Sequence, residues 1–188
     1  KSWSTQFNQP TAQFYRLITD ALFPYNLYAG QQDNSTVRIP NRTLTSGGIG
    51  QQHWQPVGGG ESAHVAFDPT NPDLVYATSL LGKLTEYSTA TGEVRDISPY
   101  PYFAGFRPAR ELKYRFNWNA PVLVSQHDPS VIYHGAQMVL RSTDRGQSWT
   151  EMGGDLTRNE ADKLGTTGGP IMIEGAGGEH YATLMYLA

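Results

Sequence analysis

An all-β fold built from repeated antiparallel hairpins is what this 188-residue sequence predicts, on three observations. The first is the run Ser142-Thr143-Asp144-Arg145-Gly146-Gln147-Ser148-Trp149, which reads S-x-D-x-G-x-S-W. Ser142 and Asp144 carry short polar side chains that bond nearby backbone amides. Gly146 supplies a conformation that a β-carbon resists, and Trp149 drops a large apolar plate beneath the turn. The second observation is composition. Twenty glycines, twelve prolines and 12% aromatic residues, against only 16% charged, suit strands joined by tight turns. The third is self-similarity. Val65-Ala66-Phe67-Asp68-Pro69, Leu74-Val75-Tyr76-Ala77 and Tyr87-Ser88-Thr89-Ala90-Thr91-Gly92 align with Ser125-Gln126-His127-Asp128-Pro129, Val131-Ile132-Tyr133-His134 and Arg141-Ser142-Thr143-Asp144-Arg145-Gly146.

Each copy reads as a strand, an Asp-Pro turn, a Tyr-containing strand and a Ser-Thr-x-x-Gly hairpin. The spacing of about 54 to 60 residues lies in the range of propeller blades. A third copy lies upstream, with Asn26-Leu27-Tyr28-Ala29 as its Tyr strand. Its outer end, Trp54-Gln55-Pro56-Val57-Gly58-Gly59, matches Trp149-Thr150-Glu151-Met152-Gly153-Gly154. The expectation is a partial β-propeller of about three four-stranded blades, over 11–60, 61–98 and 120–157. An aromatic insertion occupies 99–119, and a further blade begins at 178–188. Three blades do not close a ring. The remaining blades are therefore expected from the same longer chain, of which this is a fragment, or from another chain.

Taken in order, strand character falls at 15–19, 25–31, 36–39, 64–67, 75–79, 84–88, 122–125, 131–135 and 138–142, from alternation and β-branched or aromatic content. Helical turns are expected only within 11–21 and 159–164. The second has the Thr157-x-x-Glu160 spacing of a capping box. One hairpin is a decayed copy of the S-x-D-x-G turn, since Ala90 stands where Asp144 stands. Trp54 and Trp149 are expected as buried outer-strand anchors.

A net charge of −3 and a pI near 5.9, with no two Lys or Arg adjacent, argue against a nucleic-acid surface. The chain has no cysteine, hence no disulfide framework and no thiolate metal site. No stretch approaches the ~20 apolar residues of a membrane-spanning helix. The opening Lys1-Ser2-Trp3-Ser4 reads as the middle of something rather than a signal peptide.

The S-x-D-x-G-x-S-W pattern is that of the Asp-box (BNR) repeat, and it resembles the β-propellers of the sialidase, xyloglucanase and sortilin type. There the box joins the outer strands of a blade and seldom touches ligand. Further stretches carry a closer resemblance: Gln9-Pro10-Thr11-Ala12-Gln13-Phe14-Tyr15, Phe23-Pro24-Tyr25, Gln31-Gln32-Asp33-Asn34-Ser35-Thr36, Gly58-Gly59-Gly60-Glu61-Ser62, Leu112-Lys113-Tyr114-Arg115-Phe116-Asn117-Trp118-Asn119 and Asp155-Leu156-Thr157-Arg158-Asn159. Together they resemble a family of large bacterial exported proteins with Asp-box repeats and a sortilin-like β-propeller, often labelled glycosyl hydrolase. The resemblance implies an exported location and a chain much longer than this one. It implies no established catalytic set.

Candidate chemistry is sparse. Val37-Arg38-Ile39-Pro40 holds the Arg-Ile-Pro run found near the start of sialidases, where the arginine grips a carboxylate; a strand-end arginine is the alternative. Carboxylates near turns are Asp33, Glu61, Glu111 and Asp155. Gln31, Gln32, Asp33 and Asn34 form a polar tetrad that binds either a sugar hydroxyl or its own turn. Glu61 follows three glycines at a blade junction and either frames a ligand or belongs to a plain crossover. The insertion sets Tyr100, Tyr102, Phe103, Phe106, Tyr114, Phe116 and Trp118 among Arg107, Arg110, Glu111, Lys113 and Arg115. Aromatics beside planar polar groups line sugar and peptide clefts, or else pack under a neighbouring blade.

The five histidines show no metal-ligand spacing, so no metal and no cofactor is expected; nucleophile-elbow and phosphate-loop patterns are absent too. Two functions remain: a non-catalytic binding or scaffold module for a protein or glycan ligand, and a glycosidase of the sialidase or xyloglucanase sort. Binding is the favoured one, because no carboxylate pair stands out.

Overall fold

The computed structural model describes residues 2–3, 11–100, 104–168, 171–172 and 179–188. Tyr102 and Phe103, named above in the insertion, lie outside them, as does residue 178. Twelve strands form three four-stranded antiparallel sheets, each a meander taken in chain order. The first holds β1 (Ile18–Thr19), β2 (Asn26–Gly30), β3 (Thr36–Pro40) and β4 (Gln55–Pro56). The second holds β5 (Val65–Phe67), β6 (Leu74–Thr78), β7 (Leu84–Ser88) and β8 (Val94–Asp96). The third holds β9 (Val122–Val124), β10 (Ile132–Gly135), β11 (Val139–Ser142) and β12 (Thr150–Met152). The only helix among the described residues is four short 3₁₀ turns, and none is long and apolar enough to cross a membrane.

The alternating pattern of β6 explains how the sheets stack. Val75 and Ala77 face one way and join Tyr28, Val57, Ala63 and Val65 between the first and second sheets. Tyr76 faces the other way and joins Leu84, Ile97, Val122, Val124 and Ile132 between the second and third. Every residue of β6 is therefore buried, as a strand with two packed faces must be. A third cluster, Tyr114, Phe116, Ala120, Ala136 and Leu140, ties the insertion to the third sheet. The insertion thus spends Tyr114 and Phe116 on packing.

The Asp-Pro turns behave alike. Asp68 Oδ1 accepts from the Thr70 and Asn71 amides, and Asp128 Oδ1 from the Ser130 amide. In the Ser142–Trp149 turn, Ser142 Oγ accepts the Gly146 amide at 2.7 Å, and Asp144 Oδ1 accepts the Ser148 amide at 2.9 Å. The Ser148 side-chain bond leads in holding the Asp144 carboxyl down at about 2. Gly146 sits at φ +79°, and a β-carbon there would meet Ile97 Cβ at 2.6 Å, so the turn is pressed onto the second sheet.

Several expectations are corrected. The segment 11–21 forms no helix; it carries β1 and an isolated bridge from Phe14 to Gln31. A 3₁₀ turn, Ala161–Lys163, does form in 159–164, yet without a side-chain cap. Thr157 Oγ1 donates to Asp155 instead, and Glu160 accepts from Lys163 and from the Tyr181 hydroxyl. Residues 179–188 carry no strand. Trp149 is only half-buried but touches two core clusters. Trp54 is half-buried and belongs to none of the three. The outer strands β4, β8 and β12 are exposed throughout, so no hydrophobic period marks them in the sequence.

Candidate functional site

Because β4 runs in the same sense as β2, its exit and the β2–β3 turn share one end of the first sheet. The crossover to the second sheet leaves there, with Gly60 N–H donating to Thr78 O and Thr36 Oγ1 to Gly60 O. Gly59 makes the passage possible: its φ is +63°, and a β-carbon would lie 2.7 Å from that of Ala77.

At this end two predicted groups meet. Asp33 stands in the left-handed region at φ 57°, and its backbone N–H donates to Glu61 Oε2 at 2.7 Å. The Gln32 side-chain amide donates to Asp33 Oδ1 at 2.8 Å and to Glu61 Oε2 at 2.9 Å. Its oxygen accepts the Tyr15 hydroxyl. Tyr15 lies edge-on to Trp118, 6.5 Å between centroids, so the insertion reaches the same cluster. Gln31 is buried and reaches Ser35 O, while Asn34 Oδ1 accepts the Ser35 amide. The tetrad and Glu61 are thus spent on one another and on the turn. Glu61→Ala should remove two acceptor contacts and destabilise the chain by about 1 kcal/mol. Chemical denaturation measures this, and an unchanged midpoint would mean that the turn does not depend on Glu61.

The other candidates do not join this cluster. Arg115 is 6% exposed and paired with Asp155, so it is a structural charge rather than a ligand contact. Its guanidinium also donates to Ala182 O at 3.1 Å. Arg110 and Glu111 sit exposed on a 3₁₀ turn. Arg38 lies within β3, opposite Tyr28 and Gln55. Among the described residues no group of three or more His, Cys, Asp or Glu could hold a metal ion.

A different place in the fold has room for a ligand. The first strands of the three sheets, β1, β5 and β9, border a cleft of about 600 Å³. Its lining includes Arg16, Asp20, His64, Phe67, Asp68, Leu123 and Tyr186. The two carboxylates serve their own turns: Asp20 accepts from Leu22, Asn26 and Tyr28, and Asp68 from Thr70 and Asn71. Arg16 lies over the Tyr186 ring, 4.6 Å from its centroid. His64, the first residue before β5, is 7% exposed, and neither ring nitrogen has a hydrogen-bond partner among the described residues. Its ring centroid is 6.5 Å from that of Tyr186.

Burial, and then the neighbouring Arg16 charge, push the His64 imidazole down to about 4. The unfolded chain, with an ordinary value near 6.5, therefore takes a proton that the folded chain refuses between those limits. Stability falls as pH drops from about 6.5 to 4, by up to about 3 kcal/mol. Thermal melts across that window check this by comparison with His64→Gln, which should flatten the dependence. An equal slope in both proteins would assign it elsewhere.

His64, Arg16 and Tyr186 were not among the sequence candidates. A comparison with protein-family models and with curated proteins finds no match for the chain.

Proposed function

We propose that this chain is a non-catalytic binding or scaffold module of β-propeller type, and that its ligand, a protein or a glycan, enters the cleft along the inner strands. What supports the propeller reading is the arithmetic of the sheets. Three four-stranded meanders stack face to face in chain order, with inner strands β5 and β9 adjacent, as successive blades do. What carries the binding reading is the contrast between the two polar sites. The Gln32–Asp33–Glu61 cluster satisfies itself, whereas the cleft holds a buried imidazole without a partner. Buried polar groups are ordinarily bonded, and His64 lines the one cleft that also holds an arginine without an ion pair among the described residues. The exported bacterial setting implied by the family resemblance is part of the same proposal.

The test is capture. The immobilised chain is probed with defined glycan and peptide panels, alongside Ala21→Trp, which places a bulky ring at the exposed rim of the cleft. Ligands that bind the wild type and lose at least tenfold in affinity to the variant support the reading. Capture indifferent to Ala21→Trp places the ligand surface elsewhere.

A glycosidase reading draws on one observation. Asp33 and Glu61 accept from the same amide nitrogen, so their oxygens lie no more than about 6 Å apart, close to the separation in retaining glycosidases. Against it, such a pair needs one member to deliver a proton, and Glu61 Oε2 faces two N–H donors instead. Hydrolysis of a glycan by the wild type, lost in Glu61→Gln with glycan binding retained, would establish the enzyme.

A further inference from the structure

Five charged or titratable side chains line the cleft: Arg16, Asp20, His64, Asp68 and Tyr186. Asp20 accepts from the amides of Leu22 and Asn26, from the Asn26 side chain and from the Tyr28 hydroxyl. Asp68 Oδ1 accepts from both amides of its turn and from Thr70 Oγ1. Arg16 makes no ion pair among the described residues and rests on the Tyr186 ring. Both ring nitrogens of His64 are buried and without a hydrogen-bond partner among the described residues. The unspent capacity at this end is thus one guanidinium and one imidazole, which share the Tyr186 ring as a neighbour. Nearby walls are apolar, formed by Val65, Phe67 and Leu123.

We propose that this end of the cleft is a subsite for a single carboxylate group borne on an apolar body, held between the Arg16 guanidinium and the His64 imidazole beside the Tyr186 ring. Hydrogen-bonding capacity selects the ligand. Asp20 and Asp68 are bonded within their own turns, which leaves the Arg16 guanidinium as the cation at this end. With both carboxylates in the lining, a monoanion meets less repulsion than a phosphate dianion. The planar guanidinium fork matches a carboxylate, and a neutral imidazole donates one N–H to it. Ligation also ends the isolation of His64, whose unpaired buried nitrogens cost free energy in the unliganded chain.

The proposal rests on the binding reading only in taking the cleft as a ligand site. Its test titrates the full 188-residue chain with butyrate, butyramide and butyl phosphate, following the His64 imidazole resonances by NMR at pH 6.5. Butyrate should shift them saturably, and Arg16→Gln should weaken it by roughly ten- to a hundredfold, the worth of a charge-assisted pair. Butyramide, the uncharged isostere, should bind far more weakly, and butyl phosphate less tightly than butyrate. Arg16→Lys keeps the cation but not the fork and should fall between wild type and Arg16→Gln, which guards against a folding defect in the latter. Equal response to butyrate and butyramide, unchanged butyrate affinity in Arg16→Gln, or tighter binding of butyl phosphate would each overturn the subsite. A glycan and peptide panel that captures nothing while butyrate binds removes the binding-module reading alone. Capture without a butyrate response removes the carboxylate subsite alone.

Discussion

Replacing Trp149 with alanine should lower the unfolding free energy by about 3 kcal/mol, at the lower end of the cost of an aromatic deletion in a core. The ring is half-buried, but it lies where two clusters meet: Ile97, Val124 and Ile132 on one side, Tyr114, Phe116 and Leu140 on the other. Its indole N–H also donates to Ile97 O at 2.9 Å, a bond from the third sheet back to the second. Removing the ring opens both clusters and leaves that carbonyl without its donor. The turn that precedes it adds to the same seam. Arg145 pairs with Glu86 at 2.8 Å, and Arg95 donates to Arg145 O. Trp149→Phe keeps apolar area and loses the hydrogen bond, so it should cost about 1 kcal/mol. Trp54→Ala, at a residue outside the core clusters, should cost no more than about 1 kcal/mol. Equal losses at Trp54 and Trp149 in urea denaturation would show that the inter-sheet seam is not what holds the chain together.

Asp155→Ala should cost roughly 2–3 kcal/mol, because it strands a buried arginine. Arg115 reaches from the insertion to Asp155 beyond β12 and to Ala182 near the chain's end. Gln137 secures the same region through its side chain, accepting the Arg115 amide and donating to Lys113 O, both at 2.8 Å. The double variant Asp155→Ala, Arg115→Met should recover part of the loss, since the unpaired charge goes with its partner. No recovery would mean that the contact acts by shape rather than by charge. A pH dependence accompanies it. Burial pushes the Asp155 carboxyl up, but the Thr157 bonds and the Arg115 charge outweigh that and hold it below its ordinary 3.8. The stabilisation is therefore complete above about pH 3.8 and is lost as pH falls through the lowered value.

Turns and inner strands were legible in the sequence because their chemistry is local. Asp68-Pro69, Asp128-Pro129 and the Ser142–Trp149 run bond to amides two to four residues away, so residue type and spacing identify them. Alternation around Val75-Tyr76-Ala77 likewise identified a strand, and the three repeat copies correspond to the three four-stranded sheets. The fourth strand of each sheet escaped alternation, since β4, β8 and β12 have no buried face to write a period. The Thr157-x-x-Glu160 spacing misled because Thr157 bonds back to Asp155, two residues away, and Glu160 is taken by Lys163 and the distant Tyr181.

Which polar residues are free is a property of no short stretch. Gln32, Asp33 and Glu61 read as ligand candidates until a crossover 28 or 29 residues downstream brings them into mutual hydrogen bonds. Arg115 read as a cleft arginine until Asp155, 40 residues on, neutralises it. Conversely, Arg16, His64 and Tyr186 carry no local pattern and become neighbours through packing. Hydrogen-bond and charge satisfaction are settled pairwise across the fold. Amino-acid order therefore specifies the turns and the repeat, while the juxtaposition of β1, β5 and β9 brings Arg16 and the unbonded His64 imidazole to one cleft.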